Sequence, residues 1–448
     1  MLFWGAVLAA AVITVWALAR LWRIAAVGSA YRSKVLCSIV FGTGRSIDPQ
    51  RVEDVSVDSY RLLRLFRSRI DTTGQTVTTS LFGLRPRTAM YRPGLGATLH
   101  FPTNGADFGR LPRGGSGDRL KPVAYFPVKL RTASQEVVDA AFLEPDARRL
   151  RRTRAIVVLH DGAIVAEQYA PGFDADTRLA GWSVTKSVLN AMVGILVGEQ
   201  RLALSAKALL PEWQSPDPRA EITLEDLLRM RSGLKFSEVY SDFSSDVIEM
   251  LFNQPDAAAY AAGRPLIASP GTTWSYASGT SNIVSRIVRL VVGDHEYRDW
   301  PRRALFDPLG MPSAVLEADA AGTFVCSSFM LATARDWARF GQLFAQNGVW
   351  NGRRILPEGW VAFSTTPTAQ SAAGNYGAHW WLKLAPEIGG GTRAAASIPG
   401  DAFFAIGHEA QTLTVIPSRR LVVARLGLSV YIDAWNQAEF LAQLLDTL

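Results

Sequence analysis

Residues 155–169 read AIVVLHDGAIVAEQY, and their pattern decides the architecture. Two apolar runs rich in β-branched residues flank Asp161-Gly162, a dipeptide suited to the positive φ angles of a two-residue hairpin turn. The spacing predicts an antiparallel strand pair. A second pair is predicted near the C-terminus, where FFAIGHEAQTLTVIP (403–417), SRR (418–420) and LVVARLGLSV (421–430) follow one another. Between the two pairs, apolar residues recur at helical spacing over 184–199, 223–231, 279–293 and 333–346, and again over 433–448 at the end. Strands at both ends with helices between them imply an α+β fold. Its antiparallel sheet is built from distant segments, is flanked by helices and carries an all-helical insertion.

The bulk figures agree with a folded body. Of 448 residues, 48% are hydrophobic and 19% charged, which is too apolar for a disordered chain. Cys37 and Cys326 can form at most one disulfide and have no zinc-ligand spacing. The net charge of +7 is local: residues 1–120 hold 16 Lys/Arg against 7 Asp/Glu, and the remainder holds 31 against 33. No helix-turn-helix, zinc-finger or RNA-binding signature accompanies this basic stretch, so it does not read as a nucleic-acid site. An anionic membrane surface suits it better.

Met1–Ala19 carries no charge, and as a helix it would reach roughly 28 Å, about the thickness of a bilayer core. Trp4 and Trp16 lie towards its ends, as interfacial aromatics do. The segment reads as a single membrane anchor. A cleaved signal peptide is the competing reading, because Ala17-Leu18-Ala19 has a small-x-small form; the missing basic n-region argues against it. No later run is long enough for a second span. Arg20, Arg23, Arg32 and Lys34 follow the segment, and the positive-inside rule alone would put the body in the cytoplasm. The chain therefore divides into 1–19 (anchor or signal), 20–129 (basic extension) and 130–448 (main domain). Within the extension, RLLRLFRSR (61–69) reads either as a basic amphipathic helix on a headgroup surface or as an ordinary helix packed on the body. Gly114–Gly117 reads as a linker.

The sharpest chemical motif is Ser183-Val184-Thr185-Lys186, which opens the apolar helix SVLNAMVGILV. Serine and lysine three apart at a helix start share a face. A serine hydroxyl needs a neighbouring base, and a desolvated lysine can serve once burial lowers its pKa. The tetrapeptide alone also fits a helix-start serine with a solvated lysine. A second copy, Ser232-Gly233-Leu234-Lys235, differs physically, because Gly233 interrupts it at a helix end.

Context favours the chemical reading. VVLHDGAIVAEQY precedes the SVTK motif; ITLEDLLRMRSGL (222–234), SPGTTWSYASGTSN (269–282), LFDPLGM (305–311) and TARDWARFGQLF (333–344) then follow in order. Together these segments resemble the serine β-lactamase and penicillin-binding-protein superfamily. The likeness is to its class C-like branch, with family VIII carboxylesterases and 6-aminohexanoate-dimer hydrolases, and covers about residues 150–448. The resemblance implies a β-lactamase/transpeptidase-like fold in which Ser183 is the acylated nucleophile, Lys186 its proton partner and Tyr276 the second-motif tyrosine. The third motif, usually Lys-Thr-Gly or His-x-Gly on an edge strand, would fall on His408-Glu409-Ala410. The oxyanion hole would take the N–H groups of Ser183 and Gln411.

Three departures from the family pattern stand out. Ser278 replaces the second-motif asparagine, His408 replaces a lysine and would be neutral near pH 7, and Ala410 replaces a glycine. They point away from an efficient β-lactamase. No metal or organic cofactor is implied. The remaining histidines, His100, His160, His295 and His379, have no ligand spacing and read as structural. Trp380-Trp381 reads equally as an acyl-binding wall or as core.

The expectation is a serine hydrolase acting on a small ester or linear amide. It would sit in the bacterial inner membrane by a single pass, with the catalytic domain in the periplasm, against the charge rule. The alternatives are a β-lactamase or peptidoglycan DD-peptidase-like enzyme and a catalytically silent binding homologue.

Overall fold

The computed structural model describes residues 2–45, 52–101 and 126–448; the linker expected at Gly114–Gly117 lies outside them. The predicted hairpin forms as β5 (Thr153–His160) and β6 (Ala163–Tyr169), with φ of 53° at Asp161 and 74° at Gly162. The C-terminal segment makes three strands rather than two: β7 (Phe403–Gly407), β8 (Gln411–Ile416) and β9 (Leu421–Gly427). What reads as one long strand is broken by a tight turn over His408–Ala410, where Glu409 and Ala410 take φ near +60°. The sheet runs β7-β8-β9-β5-β6, all antiparallel, so distant segments meet where β9 pairs with β5.

Strand periodicity sorts the side chains of this sheet between two cores. Val157 and Leu159 of β5 and Val422 and Ala424 of β9 enter the larger core, with Trp337 and Phe340 of the helix Ala334–Ala345. Ile156, Val158, Leu421 and Val423 face the other way, against Val138 and against Phe440 and Leu441 of the helix Gln437–Leu445. Helices Thr185–Gly198, Leu224–Leu228, Asp246–Asn253, Ala257–Ala262 and Ser278–Val292 occupy the chain between β6 and the C-terminal strands. The first is buried all round from Thr185 to Leu196.

The N-terminal region is woven into this body. Helix α1 runs unbroken from Leu2 to Cys37. Its residues from Val7 to Arg23 stand exposed, and from Ala25 to Cys37 it is buried apart from the half-buried Tyr31. By length and composition it can cross a membrane, a test a signal sequence also passes. The strands β1 (Phe66–Asp71), β2 (Thr76–Leu81), β3 (Leu84–Arg92) and β4 (Gly96–Leu99) form an antiparallel sheet packed on its buried part. A Cβ at Gly28 would stand 2.4 Å from the Phe66 ring, so only glycine admits this approach. RLLRLFRSR is not one helix. Its first half completes a 3-10 segment, Asp58–Leu65, and the rest is β1. The reason is period two: Phe66, Ser68 and Ile70 turn inward while Arg67 and Arg69 are exposed.

Arg32 and Lys34 are not surface charges. Arg32 donates to the Val55 carbonyl and to Ser68. Lys34 pairs with the buried carboxylate of Glu317, which also accepts from Ser38 and from the Ala97 N–H. Arg154, on β5, holds Asp54 of the extension through two bonds of 2.7 and 2.8 Å. Both cysteines are buried and free.

Candidate active site

Ser183 sits in a 3-10 turn, Trp182–Val184, that feeds directly into the helix Thr185–Gly198. Trp182 takes a left-handed φ of 49°, a conformation costly for a bulky residue. Its indole N–H is tethered to Glu409 Oε2 at 3.2 Å. Ser183 remains partly exposed, whereas Lys186, one turn on, is fully buried.

The Lys186 ammonium makes three contacts: Ser183 Oγ at 2.9 Å, Ser278 Oγ at 3.1 Å and the Ser327 carbonyl at 2.8 Å. Burial lowers its pKa to about 8, partly opposed by the carboxylate of Glu238. Ser278 opens the helix Ser278–Val292 and gives its own proton to Glu238 Oε1 at 2.5 Å. Its N–H donates to Glu238 Oε2 at 2.8 Å. Two of the three Lys186 partners can therefore only accept: a carbonyl, and a hydroxyl whose proton is engaged. When Lys186 loses a proton, its two remaining hydrogens satisfy these acceptors and its lone pair faces Ser183. That is the arrangement a general base requires.

Tyr276 lies across from this pair. Its ring centroid is 4.9 Å from Lys186 Nζ. Burial, reinforced by Glu238, raises its pKa well above the usual phenol value, so it is neutral at physiological pH. Trp381 tilts against it at 5.4 Å, while Trp380 is core, packed on Phe344 and Phe403. The core reading thus holds for Trp380, and Trp381 packs beside Tyr276.

The third-motif residues lie in the turn after the edge strand β7, not on a strand. A Cβ on Gly407, the last residue of β7, would stand 2.2 Å from the Gly181 carbonyl, so the backbone there passes close beside the nucleophile turn. His408 is stacked under Tyr240 at 5.1 Å, meets Trp182 edge-on, and bonds through Nε2 to the Tyr60 hydroxyl at 2.9 Å. Desolvation lowers its pKa to about 4, leaving it neutral.

Two expectations at this motif need correction. Ala410 is fully buried in the second core, beside Phe404 and Trp435, and does not line the site. The Gln411 N–H donates to the His408 carbonyl, and its side chain bonds both the N–H and the carbonyl of Gly427. Gln411 is therefore a brace for the turn and not a free oxyanion donor. The His408 N–H, at the first position of that turn, precedes the turn's own hydrogen bonds.

Several residues at the site carry no local sequence signal. Glu238 and Tyr240 come from an irregular loop, and Tyr60 comes from the N-terminal extension. Glu409 joins them: burial, aided by Asp54, raises its carboxyl pKa to about 8, and it bonds Tyr60 at 2.9 Å. His379 supports from behind. Its Nδ1 meets the Lys186 carbonyl at 3.0 Å and its pKa falls to about 3 by burial, so it is neutral and structural. The second Ser-x-x-Lys is no pair, because Ser232 Oγ only caps the Leu234 N–H across Gly233, at φ 77°, while Lys235 is exposed. Among the described residues no cluster of three or more His, Cys, Asp or Glu side chains offers a metal site.

Residues 138–432 match the Beta-lactamase family. The chain belongs to that family. A curated relative, the 6-aminohexanoate-dimer hydrolase of Paenarthrobacter ureafaciens, is 27% identical over 325 residues, covering 66% of this chain and 81% of that protein. The Bacillus anthracis protein assigned as a 6-aminohexanoate-dimer hydrolase superposes with a TM-score of 0.57 at 22% identity, over 72% of this chain and 86% of that one. A family VIII carboxylesterase gives 0.54 at 16% identity, over 70% and 96%. At these identities the two structures establish a shared β-lactamase-like fold. The relatives are named for amide and ester hydrolysis.

Proposed function

We propose that this chain is a serine hydrolase that cleaves a small ester or linear amide through an acyl-enzyme on Ser183. The three-contact geometry of Lys186 carries the reading. Neutral Lys186 takes the Ser183 proton as Oγ attacks the substrate carbonyl carbon. We assign the N–H groups of Ser183 and His408 as the oxyanion donors, and preorganised donors of this kind are worth about 3–4 kcal/mol each. Collapse breaks the bond to the alcohol or amine, which leaves with a proton from Tyr276, itself resupplied by Lys186. Water then attacks the acyl group with the same residues acting in reverse and regenerates Ser183. Tyr276, held as a phenol, suits the donor role.

The third motif offers neutral His408 where a lysine would meet the carboxylate of a β-lactam, so those substrates are disfavoured. We also read the exposed start of α1 as a membrane anchor, residues 20–129 as an extension, and 130–448 as the hydrolase domain.

A fluorophosphonate probe followed by intact-mass analysis tests the reading. One adduct is expected on the wild type and on Ser232→Ala, and none on Ser183→Ala. A folded wild type that stays unlabelled would instead favour a catalytically silent binding protein.

The pH profile gives a second test. Because only neutral Lys186 is competent, kcat/KM should rise with pH through a limb near the Lys186 pKa, about 8. Glu238 raises that pKa. Glu238→Gln should therefore move the limb to lower pH while lowering the plateau, since one acceptor for Ser278 is lost. A limb that stays in place would mean another group is titrating.

A further inference from the structure

Both segments that wall the third-motif side of the site face outward with apolar side chains. The 3-10 segment Asp58–Leu65 presents Tyr60 to His408, yet Leu62 and Leu65 are 68% and 52% exposed, interleaved with exposed Arg61 and Arg64. The loop that supplies Glu238 and Tyr240 leaves Val239 and Phe243 49% and 40% exposed. Leucine and phenylalanine mixed with arginine in this way is the composition of a surface that rests at a headgroup boundary.

The position of α1 bears on what these side chains face. Tyr31, on its buried part, stacks on Tyr60 at 5.5 Å. Trp22, the last large apolar side chain of the exposed part, lies nine residues earlier, roughly 14 Å along the axis at 1.5 Å per residue. Arg85, three residues after the exposed Phe82, places its guanidinium 5.1 Å from the Trp22 ring. Asp242, in the same loop as Glu238 and Tyr240, is within electrostatic reach of Arg20 and Arg23. The site wall and the end of the exposed apolar helix are thus fixed together at short range, with no flexible connection between Trp22 and Tyr31.

We propose that the active site opens against the bilayer that α1 enters, and that its substrate is a membrane-resident acyl ester or amide drawn from the leaflet. This rests on the hydrolase reading above. A water-soluble substrate would need only a tether, whereas here the same rigid helix sets the depth of the site and the outer faces of its walls are apolar. Chemistry is unchanged: Ser183 attacks the acyl carbonyl, the headgroup alcohol or amine leaves protonated, and water releases the fatty acid.

The test uses the full chain in phosphatidylcholine–phosphatidylglycerol vesicles, with Ser183→Ala as background. One substrate is water-soluble p-nitrophenyl butyrate; the other is p-nitrophenyl palmitate incorporated in the same vesicles. Both should be cleaved, and Leu62→Glu combined with Phe243→Glu should lower palmitate turnover about tenfold or more, because charging such side chains removes burial in the interface. Butyrate turnover should stay within about twofold. Leu65→Glu should give the same split. Cleavage of butyrate without palmitate, or equal loss of both in the variants, overturns the proposal and leaves the hydrolase reading standing. Cleavage of neither, with no fluorophosphonate adduct, is failure of the hydrolase reading itself.

Discussion

Ser183→Ala is expected to reduce ester turnover by a factor on the order of 10⁵–10⁶, Lys186→Met by about 10⁴, and the double variant no further than Ser183→Ala alone. The non-additivity follows from the geometry. Lys186 enters turnover by taking the Ser183 proton across 2.9 Å and relaying it through Tyr276, so without the hydroxyl there is no proton for it to take. Methionine keeps most of the lysine stem's volume in a fully buried position, and the fold should survive. Steady-state kcat/KM on p-nitrophenyl butyrate, with circular dichroism as the folding control, decides the matter. Multiplicative losses would mean that Lys186 acts outside the nucleophile's proton transfer. A Lys186→Met variant of ordinary activity would remove the mechanism.

The same pair shows what a sequence makes legible. Ser183 and Lys186 are three residues apart at a helix start, so their contact is a local consequence of helix geometry. The hairpin at Asp161-Gly162 is local in the same sense, since strand pattern and turn chemistry lie within fifteen consecutive positions. Glu238 is different. Its carboxylate reaches the Ser278 hydroxyl and N–H across forty positions, and nothing in its own loop marks it. Tyr60 reaches His408 from 348 positions away.

The third motif misleads for another reason. FFAIGHEAQTLTVIP has apolar residues on both sides of His408, and pattern alone cannot place a turn where Glu409 and Ala410 adopt positive φ without glycine. Charge counting misleads most. Arg32 and Lys34 count as solvent charges in a composition, but both are buried and bonded within the body. The basic character of the extension is partly internal wiring.

That wiring gives the second large effect. Lys34→Met should destabilise the protein by about 3–5 kcal/mol, the range for a buried pair stripped of one partner. Lys34 and Glu317 have side chains only 4% and 3% exposed, and the cation also stands 4.1 Å from the Phe329 ring. Glu317 belongs to the hydrolase body, and its other donors, Ser38 and the Ala97 N–H, come from the N-terminal region as well. Removing the lysine leaves a carboxylate in a site too dry to hold it. The double variant Lys34→Met/Glu317→Gln should recover much of the loss, because a neutral amide can still accept from Ser38 and Ala97. Denaturant midpoints in detergent would separate the two cases. Full stability in the single variant would show the extension to be a mere appendage. The expected result makes the described N-terminal region a load-sharing part of the catalytic body, which is the physical condition for the proposed anchor to hold the proposed site at a set depth.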